Sequence, residues 1–239
     1  MINIAIDGPA GAGKSTLARR AAEKLGYIYV DTGALYRTVA LFMLQRRIDP
    51  YDTQAVANVL PMVDVDIRHV DGEQRVYLCG ENVSAVIRTP EISNAASTVA
   101  ANPKVREFLA DVQEDLAHNN NVIMDGRDIG TVVLPKAQVK VFLTASPEKR
   151  AERRYLELKE KGMNVEYEHI LEDVKQRDYQ DSHRAIAPLR PADDAVLLDT
   201  TDCDLDESLV KLLDIIDRRL KGSAPDGDGE VHFDNDDEF

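Results

Sequence analysis

One eight-residue stretch, GPAGAGKS at residues 8–15, constrains the fold of this chain more than any other part of it. It follows the apolar run NIAID, opens a helical pattern, and fits G-x-x-x-x-G-K-[ST] at every position. Its glycines let successive backbone N–H groups converge on phosphate oxygens, and the start of the helix behind them favours negative charge. The stretch therefore predicts a nucleoside-triphosphate site where a strand ends and a helix begins.

Within this phosphate loop, Lys14 is placed to reach the β- and γ-phosphates, and the Ser15 hydroxyl is placed on Mg²⁺. We therefore expect MgATP as the donor, with Mg²⁺ held by Ser15 together with phosphates and water. The predicted ATP-binding residues are Gly8, Pro9, Ala10, Gly11, Ala12, Gly13, Lys14, Ser15 and Thr16.

Short, nearly continuous apolar runs alternate with helical patterns along the chain, which is typical of parallel strands covered on both faces. The strands are predicted at residues 3–7, 27–31, 121–125, 139–145 and 195–199. Such alternation favours a three-layer α/β fold of the P-loop NTPase type with a five-stranded parallel sheet. Residues 63–88 differ, because they alternate with period two around Asp71–Gly72 and so indicate a small antiparallel β insertion.

The formal net charge is −14, and residues 222–239 contribute seven acids without a lysine or arginine. Such a tail cannot bury enough apolar surface to order itself, so we expect it to be disordered. An acidic chain is a poor candidate for sequence-independent nucleic-acid binding. No apolar run reaches the ~20 residues needed to span a membrane, and no signal peptide is recognisable. Cys79 and Cys203 lack metal-type spacing, which favours a reducing, cytoplasmic location.

Arginines recur where loops leave strands or along one helix face. Arg37 follows the second strand and Arg127 the third, while Arg150, Arg153 and Arg154 share a face at i, i+3 and i+4. A phosphoryl-transfer enzyme needs such cations around the donor and acceptor phosphates. A GTPase would need a base-reading N-K-x-D motif, which is missing here.

Five motifs together resemble those of the bacterial cytidylate kinases: DGPAGAGKST, DTGALYR, NAAS–VA–PKVRE, MDGRDIGT and KQRDYQDSHRAIAPL. The resemblance covers residues 1–221. It implies a kinase domain with its core at 1–58, 99–145 and 190–221, a monophosphate-binding insert at about 59–98, and a helical lid at about 146–165. Residues 222–239 stay outside it as the tail.

The resemblance also implies roles for individual residues. Lys14, Arg127, Arg150 and Arg154 would serve catalysis, the last two from the lid. The implied CMP-binding residues are Thr32, Tyr36, Arg37, Ser97, Arg106, Arg127, Asp128, Arg177, Asp181 and Arg184. Among them, Arg37 and Arg127 would hold the phosphate, and Tyr36, Arg177 and Asp181 the sugar. The others would surround the cytosine; Thr32 stands where many family members have serine, and its extra methyl would narrow the base pocket slightly.

The chemistry of the base agrees with this assignment. Cytosine presents an exocyclic amine that donates and a ring nitrogen that accepts. Asp128 can accept from the amine, whereas uracil would turn its O4 toward that carboxylate, a mismatch that costs about 1–3 kcal/mol. In VIMDGRDIG, Gly126 would let the turn approach the substrate. Asp125 would either orient Arg127 or lie near the waters of Mg²⁺.

Transfer of the γ-phosphate of ATP to CMP or dCMP is therefore the predicted activity, in pyrimidine nucleotide metabolism, by a monomer. Three alternatives stay open: a kinase for another acceptor such as UMP, AMP or shikimate; a GTPase or ATPase switch; and an interaction protein that presents its acidic tail. Gly162 would be either a flexible point of the lid or a helix C-cap.

Overall fold

The computed structural model of the chain describes residues 1–70 and 73–222. Its strands are β1 (Asn3–Asp7), β2 (Ile28–Asp31), β3 (Val65–Val70), β4 (Glu73–Leu78), β5 (Glu81–Asn82), β6 (Val122–Gly126), β7 (Val139–Thr144) and β8 (Val196–Asp199). Five of them form a sheet in the order β2-β6-β1-β7-β8, and every neighbouring pair is parallel. The predicted five-stranded parallel sheet is confirmed.

Eight α-helices complete the described part of the chain: α1 (Lys14–Leu25), α2 (Thr32–Gln45), α3 (Thr53–Val59), α4 (Pro90–Val99), α5 (Pro103–Asn119), α6 (Pro147–Glu160), α7 (Tyr167–His183) and α8 (Leu205–Leu220). The sequence analysis missed the two shortest, α3 and α4. Both carry start signals, since the side chains of Asp52 and Thr89 accept from backbone N–H groups of the first turn. None of these helices has the length and apolar character that crossing a membrane requires.

The sheet lies between two layers of helices. On one face, α1 and α8 pack on β1, β7 and β8 through an aliphatic cluster that includes Ile4, Leu17 and Leu212. On the other face, Val30, Met124 and Ile129 belong to a second cluster, beside α2 and α5. Both faces are therefore covered, which explains why the strand sequences are continuously apolar rather than alternating. The three-layer α/β prediction is confirmed.

The predicted antiparallel insertion is present as a second sheet in the order β3-β4-β5. β3 and β4 pair from Val65↔Leu78 to Val70↔Glu73. Val76 and Leu78 are buried against the inner face of α2, while alternate residues face outward, which gives the period-two pattern. The Asp71–Gly72 turn and the predicted disordered tail beyond Gly222 lie outside the described residues.

Gly8 joins β1 to the phosphate loop with a φ of +145°, and a Cβ there would lie 1.9 Å from the carbonyl oxygen of Leu143. Because that oxygen belongs to the backbone of β7, it cannot move aside. We expect Gly8→Ala to lower the free energy of unfolding in urea by about 3 kcal/mol or more. Gly26→Ala is the matched control: φ is +68° there, with no atom within 4 Å of the added Cβ. It should cost only about 1–2 kcal/mol, the penalty of a left-handed backbone. Equal losses would contradict the steric explanation.

Candidate active site

A cavity of about 390 Å³ opens where the carboxyl ends of β1, β2 and β6 meet the phosphate loop. Parallel strands all end at this edge, and ligands bind there in open α/β sheets. All ten residues predicted for the acceptor line this one cavity: Thr32, Tyr36, Arg37, Ser97, Arg106, Arg127, Asp128, Arg177, Asp181 and Arg184. The phosphate loop adds Ala10, Gly11, Gly13, Lys14, Ser15 and Thr16. Gly8 and Pro9 do not line it, and Ala12 lines a second cavity described below.

The buried carboxylate of Asp125 faces the phosphate loop. Its Oδ2 accepts from the Ser15 hydroxyl at 2.8 Å, and its Oδ1 from the Tyr29 hydroxyl at 2.9 Å. Burial, followed by the nearby Asp31, raises the pKa of Asp125 to about 6. Two roles were open for Asp125: to orient Arg127, or to lie near the waters of Mg²⁺. Its position beside Ser15 fits the role near Mg²⁺, because a hydroxyl and a carboxylate are oxygen ligands that suit this ion.

Lys14 is 5% exposed, and its ammonium donates to the carbonyl of Pro9 at 2.7 Å. Burial, and next the positive charge of Arg127, lower the pKa of Lys14 to about 7. The nearby carboxylates of Asp125 and Asp7 oppose this shift but do not cancel it. The nearby carboxylates thus do not offset the burial of the ammonium, and the negative charge of a bound triphosphate would favour its charged form.

Two arginine donors that line the cavity have no hydrogen-bond partner among residues 1–70 and 73–222. Nε of Arg37 and Nε of Arg177 are buried without a hydrogen bond, an arrangement that costs about 1–3 kcal/mol for each donor. Burial, then the neighbouring Arg127, lower the pKa of Arg177. Arg127 itself donates from Nε to Asp181 Oδ2 at 2.8 Å. Unpaired donors beside clustered positive charge indicate a site for an anion.

The far end of the cavity holds a charged cluster around Asp128, which is 4% exposed. Its Oδ2 accepts from Arg106 and its Oδ1 from Arg184, the latter at 3.3 Å. The ring of Tyr36 lies beneath the Arg106 guanidinium, with 5.6 Å between the ring centroid and Cζ. The carboxylate keeps free lone pairs, so this end can accept from a ligand while two guanidinium groups hold it in place.

Asp7 anchors the segment that carries these residues, and the sequence analysis did not single it out. Its Oδ1 accepts from the Ile129 N–H at 2.8 Å and its Oδ2 from the Gly130 N–H at 2.7 Å. These bonds tie the end of β1 to a π-helical turn, Ile129–Val133, directly after Asp128. An acid that ends an apolar strand just before a phosphate loop was the available signal, because a buried carboxylate needs donors.

Comparison with known proteins bears on the identity of this site. The family model for cytidylate kinase matches residues 4–218. A cytidylate kinase of Caldicellulosiruptor bescii is 50% identical over 223 residues, which cover 93% of this chain and 99% of that protein. A cytidylate kinase of Lactobacillus johnsonii is 48% identical over 92% of this chain and 96% of that protein.

This chain belongs to the cytidylate kinase family. The resemblance inferred from the five sequence motifs is thereby confirmed. A shikimate kinase structure from Bacteroides thetaiotaomicron covers 90% of this chain and 98% of that chain, but at 12% identity and a TM-score of 0.45 it has no bearing on the substrate.

The arginines of the lid that the cytidylate kinase resemblance implies do not converge on one site in the structure, because each has different partners. Arg150 is 3% exposed and donates to the carbonyls of Ala145 and Ala10 and to both oxygens of Asp178. It therefore braces α6 against the phosphate loop and α7. Arg153 donates to the Thr200 carbonyl at 2.7 Å.

Arg154 is exposed and pairs with Glu157 at 2.8 Å. Neither Arg150 nor Arg154 lines the cavity of the acceptor residues, so their catalytic role stays a prediction that requires rearrangement. Gly162 has a φ of +73° and donates to the Lys159 carbonyl, while Met163 donates to the Leu158 carbonyl. Gly162 was expected to be either a flexible point of the lid or a helix C-cap, and this geometry supports the helix C-cap.

A second cavity, of about 1230 Å³, lies on the other side of the phosphate loop, and the sequence analysis missed it. It is lined by Gly13 and Thr16, by Arg153 and Tyr155 of α6, and by residues 200–205, which follow β8. Residues at the carboxyl end of a parallel strand were the available signal.

The structure gives a packing reason for Gly126. A Cβ on this residue would lie 2.6 Å from Cδ1 of Ile129 and 2.9 Å from Oγ1 of Thr32. Thr32 in turn donates to the carbonyl of Asp125 at 2.8 Å. Gly126 also lines the cavity, so its predicted role in the approach to a substrate stays a prediction beside this packing requirement. The Thr32 hydroxyl, which already donates to the backbone, can offer a base only an acceptor.

Asp7 also makes the stability of the protein depend on pH. Burial, only partly offset by the two backbone bonds, raises the pKa of Asp7 from 3.8 to about 6. Between these values the folded protein binds more protons than the unfolded chain, so this group lowers the free energy of unfolding as the pH rises. We expect urea titrations of Asp7→Asn to show a smaller decrease between pH 4 and pH 7 than those of the wild type. Asp111→Asn, at an exposed position, should follow the wild type. Parallel curves for Asp7→Asn and the wild type would contradict the prediction.

Proposed function

We propose that this chain transfers the γ-phosphate of MgATP to CMP or dCMP, giving ADP and CDP or dCDP. One observation carries the proposal: a single cavity joins the phosphate loop, a set of unpaired buried arginine donors and the buried carboxylate of Asp128. Six cationic and four acidic side chains line it, so it has an excess of positive charge for a bound monophosphate. Membership in the cytidylate kinase family supports the same reaction.

The acceptor phosphate lies among Arg37 and Arg127, which the resemblance assigns to it, and Arg177, which the resemblance assigns to the sugar but whose Nε is a buried donor like that of Arg37. Its oxygens satisfy the unpaired Nε donors of Arg37 and Arg177, and they offset the repulsion between the neighbouring guanidinium groups. Burial raises the pKa of Asp181, but the neighbouring Arg127 lowers it, and the pKa lies below its usual range. An ionised Asp181 therefore orients Arg127 toward the phosphate and can also accept from a sugar hydroxyl, together with Tyr36.

The base lies at the other end, where Asp128 accepts from the exocyclic amine of cytosine. Arg106 and Arg184 hold that carboxylate from two sides, so its position is set before the substrate arrives. Ser97 of α4 lines the same end. Uracil would leave Asp128 facing an acceptor, and for this reason we expect CMP to be preferred over UMP.

The donor lies across the phosphate loop. Lys14 binds the β- and γ-phosphates, and the nucleoside of ATP occupies the second cavity, which adjoins Gly13 and Thr16. Ser15, with Asp125 behind it, would hold Mg²⁺ together with phosphates and water. When bound, Mg²⁺ neutralises charge on the phosphate oxygens.

Transfer requires no covalent intermediate with the enzyme. An oxygen of the acceptor phosphate attacks the γ-phosphorus, and the bond from that phosphorus to ADP breaks. Lys14 and Arg127 spread the charge of the transferring group, and Arg150 and Arg154 of the lid join them after closure. Closure of the lid and of the insert at about 59–98 excludes water, which would otherwise hydrolyse ATP.

The chain acts as a monomer in this proposal, because all ten acceptor residues come from a single chain. Its two cysteines are free in the structure, which is compatible with a reducing cytoplasm. Small-molecule nucleotides are its partners, and nucleic acid is not expected among them because of the acidic net charge.

A coupled assay of ADP release tests the proposal, with MgATP and CMP, dCMP, UMP or AMP as acceptor. We expect fast turnover with CMP and dCMP and slow turnover with UMP. Equal rates with CMP and UMP would leave a pyrimidine-monophosphate kinase but refute the role of Asp128. If no monophosphate increases ADP release above the background hydrolysis of ATP, the proposed reaction is wrong.

A further inference from the structure

β2 is an edge strand of the parallel sheet, so in the part of the chain that the structure describes no strand pairs with the backbone groups on its outer side. Two side chains of the insert hairpin satisfy them instead. Nε2 of His69 lies 3.0 Å from the Tyr29 carbonyl, and Oε1 of Gln74 accepts from the Asp31 N–H at 2.7 Å. His69 and Gln74 lie opposite each other in the β3–β4 ladder, so one cross-strand pair holds the edge of the sheet.

Gln74 makes the more extensive contact of the two. Besides accepting from the Asp31 N–H, its amide nitrogen donates to the Asp31 carbonyl at 3.4 Å. The amide therefore holds Asp31 from the open side, in the way a further strand would. On the other side, Asp31 pairs with Asp125 of β6. The backbone of Asp31 is fixed between the main sheet and the insert.

Asp31 is also the residue that orients Arg37. It caps α2, with Oδ1 accepting from the Ala34 N–H at 2.9 Å, and its Oδ2 accepts from Nη2 of Arg37 at 2.8 Å. Nε of Arg37 is left as a buried donor without a partner in the described part of the chain. A shift of the Asp31 backbone would move this carboxylate and, with it, the guanidinium group.

We propose that Gln74 is a positioning residue for the acceptor phosphate, acting through the backbone and carboxylate of Asp31 on the guanidinium of Arg37. This inference rests on the proposed function, because that function assigns Arg37 to the acceptor phosphate. Gln74 does not line the cavity, so its effect reaches the substrate only through Asp31. The position of the insert hairpin therefore affects the binding of the acceptor nucleotide and not the binding of ATP.

Gln74→Met tests the inference, because methionine keeps the length of the side chain and removes both hydrogen bonds. We expect the KM for CMP to rise about three- to tenfold, as for the loss of one or two hydrogen bonds. The KM for ATP and the ratio of CMP to UMP turnover should not change, because neither the donor site nor Asp128 is touched. The matched control is Gln54→Met, since Gln54 is exposed and its amide nitrogen donates to Asn58 at 2.9 Å.

Two further variants separate positioning from a loosened insert. In an Arg37→Ala background, Gln74→Met should cause no additional rise in the KM for CMP, because the group it acts on is gone. His69→Ala removes the other contact with β2 but leaves Asp31 held, and it should raise this KM less than Gln74→Met does. An additional rise in the Arg37→Ala background, or equal effects of the two insert variants, would overturn the inference.

The two proposals fail in different ways. A wild-type protein without CMP-dependent ADP release would refute the proposed function. An active wild type beside a Gln74→Met variant with an unchanged KM for CMP would overturn only the positioning role. Melting temperatures of all variants, measured without ligand, should stay close to that of the wild type, and a collapse of Gln74→Met alone would count against its role as a substrate-positioning group.

Discussion

Lys14→Met is expected to lower kcat/KM for the MgATP-dependent phosphorylation of CMP by about 10²- to 10³-fold, the usual cost of removing one preorganised charged donor. Lys14 is buried beside Ser15 in the phosphate loop, and its ammonium donates to the Pro9 carbonyl. Methionine fills the same space but cannot stabilise the negative charge of the transferring phosphoryl group. The loss should therefore appear in kcat as well as in the KM for ATP.

Lys24→Met is the matched control, since this lysine lies in the last turn of the same helix and is exposed. It should retain wild-type kinetics. Both variants should show the same dependence of rate on CMP concentration once ATP is saturating. A loss below tenfold for Lys14→Met would mean that another cation binds the γ-phosphate.

Asp128→Asn is expected to change the choice of acceptor. The buried carboxylate accepts from Arg106 and Arg184 and, in the proposed complex, from the amine of cytosine. An asparagine amide can turn its NH₂ toward O4 of uracil, while Arg106 and Arg184 both lose the negative charge with which they pair. We expect kcat/KM for CMP to fall about 100-fold, the upper end for an unmatched buried hydrogen-bonding group, and the value for UMP to stay or to rise.

The measurement is the ratio of kcat/KM for CMP to that for UMP, determined for both proteins in the same assay. Asp214→Asn serves as control, because its carboxylate also pairs with an arginine, Arg218, but on the exposed face of α8. Thermal unfolding should show a lower melting temperature for Asp128→Asn, since a broken buried ion pair leaves an unpaired charge. Equal losses with both acceptors would assign Asp128 to stability alone.

Much of this site was predictable because its signals are local. The spacing of the phosphate loop fixes its conformation within eight residues, and the apolar runs before Asp7, Asp31 and Asp125 mark strands whose ends meet at one edge. Residues placed just after such strands converge on that edge whatever the strand order. For this reason Arg37 and Arg127 could be assigned to one site from their positions along the chain, whereas the role of Asp128 was implied by the resemblance to the cytidylate kinases.

The rest depends on pairings between distant residues, which periodicity does not encode. Asp7 bonds to backbone groups 122 and 123 residues away. Arg150 engages Asp178 of α7 instead of pointing into the cavity. No local pattern distinguishes an arginine that braces two helices from one that binds phosphate, since both require the same guanidinium group near a carboxylate or a phosphate.

The central position of β1 in the sheet has a consequence for the synthesis of the chain. β1 is made first, yet its two neighbours, β6 and β7, begin at Val122 and Val139. While the ribosome adds residues 8–121, β1 has both edges open, because the strands that pair with it have not yet been made. The nucleotide site cannot form until β6 and β7 have been made, and until then the open edges of β1 favour aggregation.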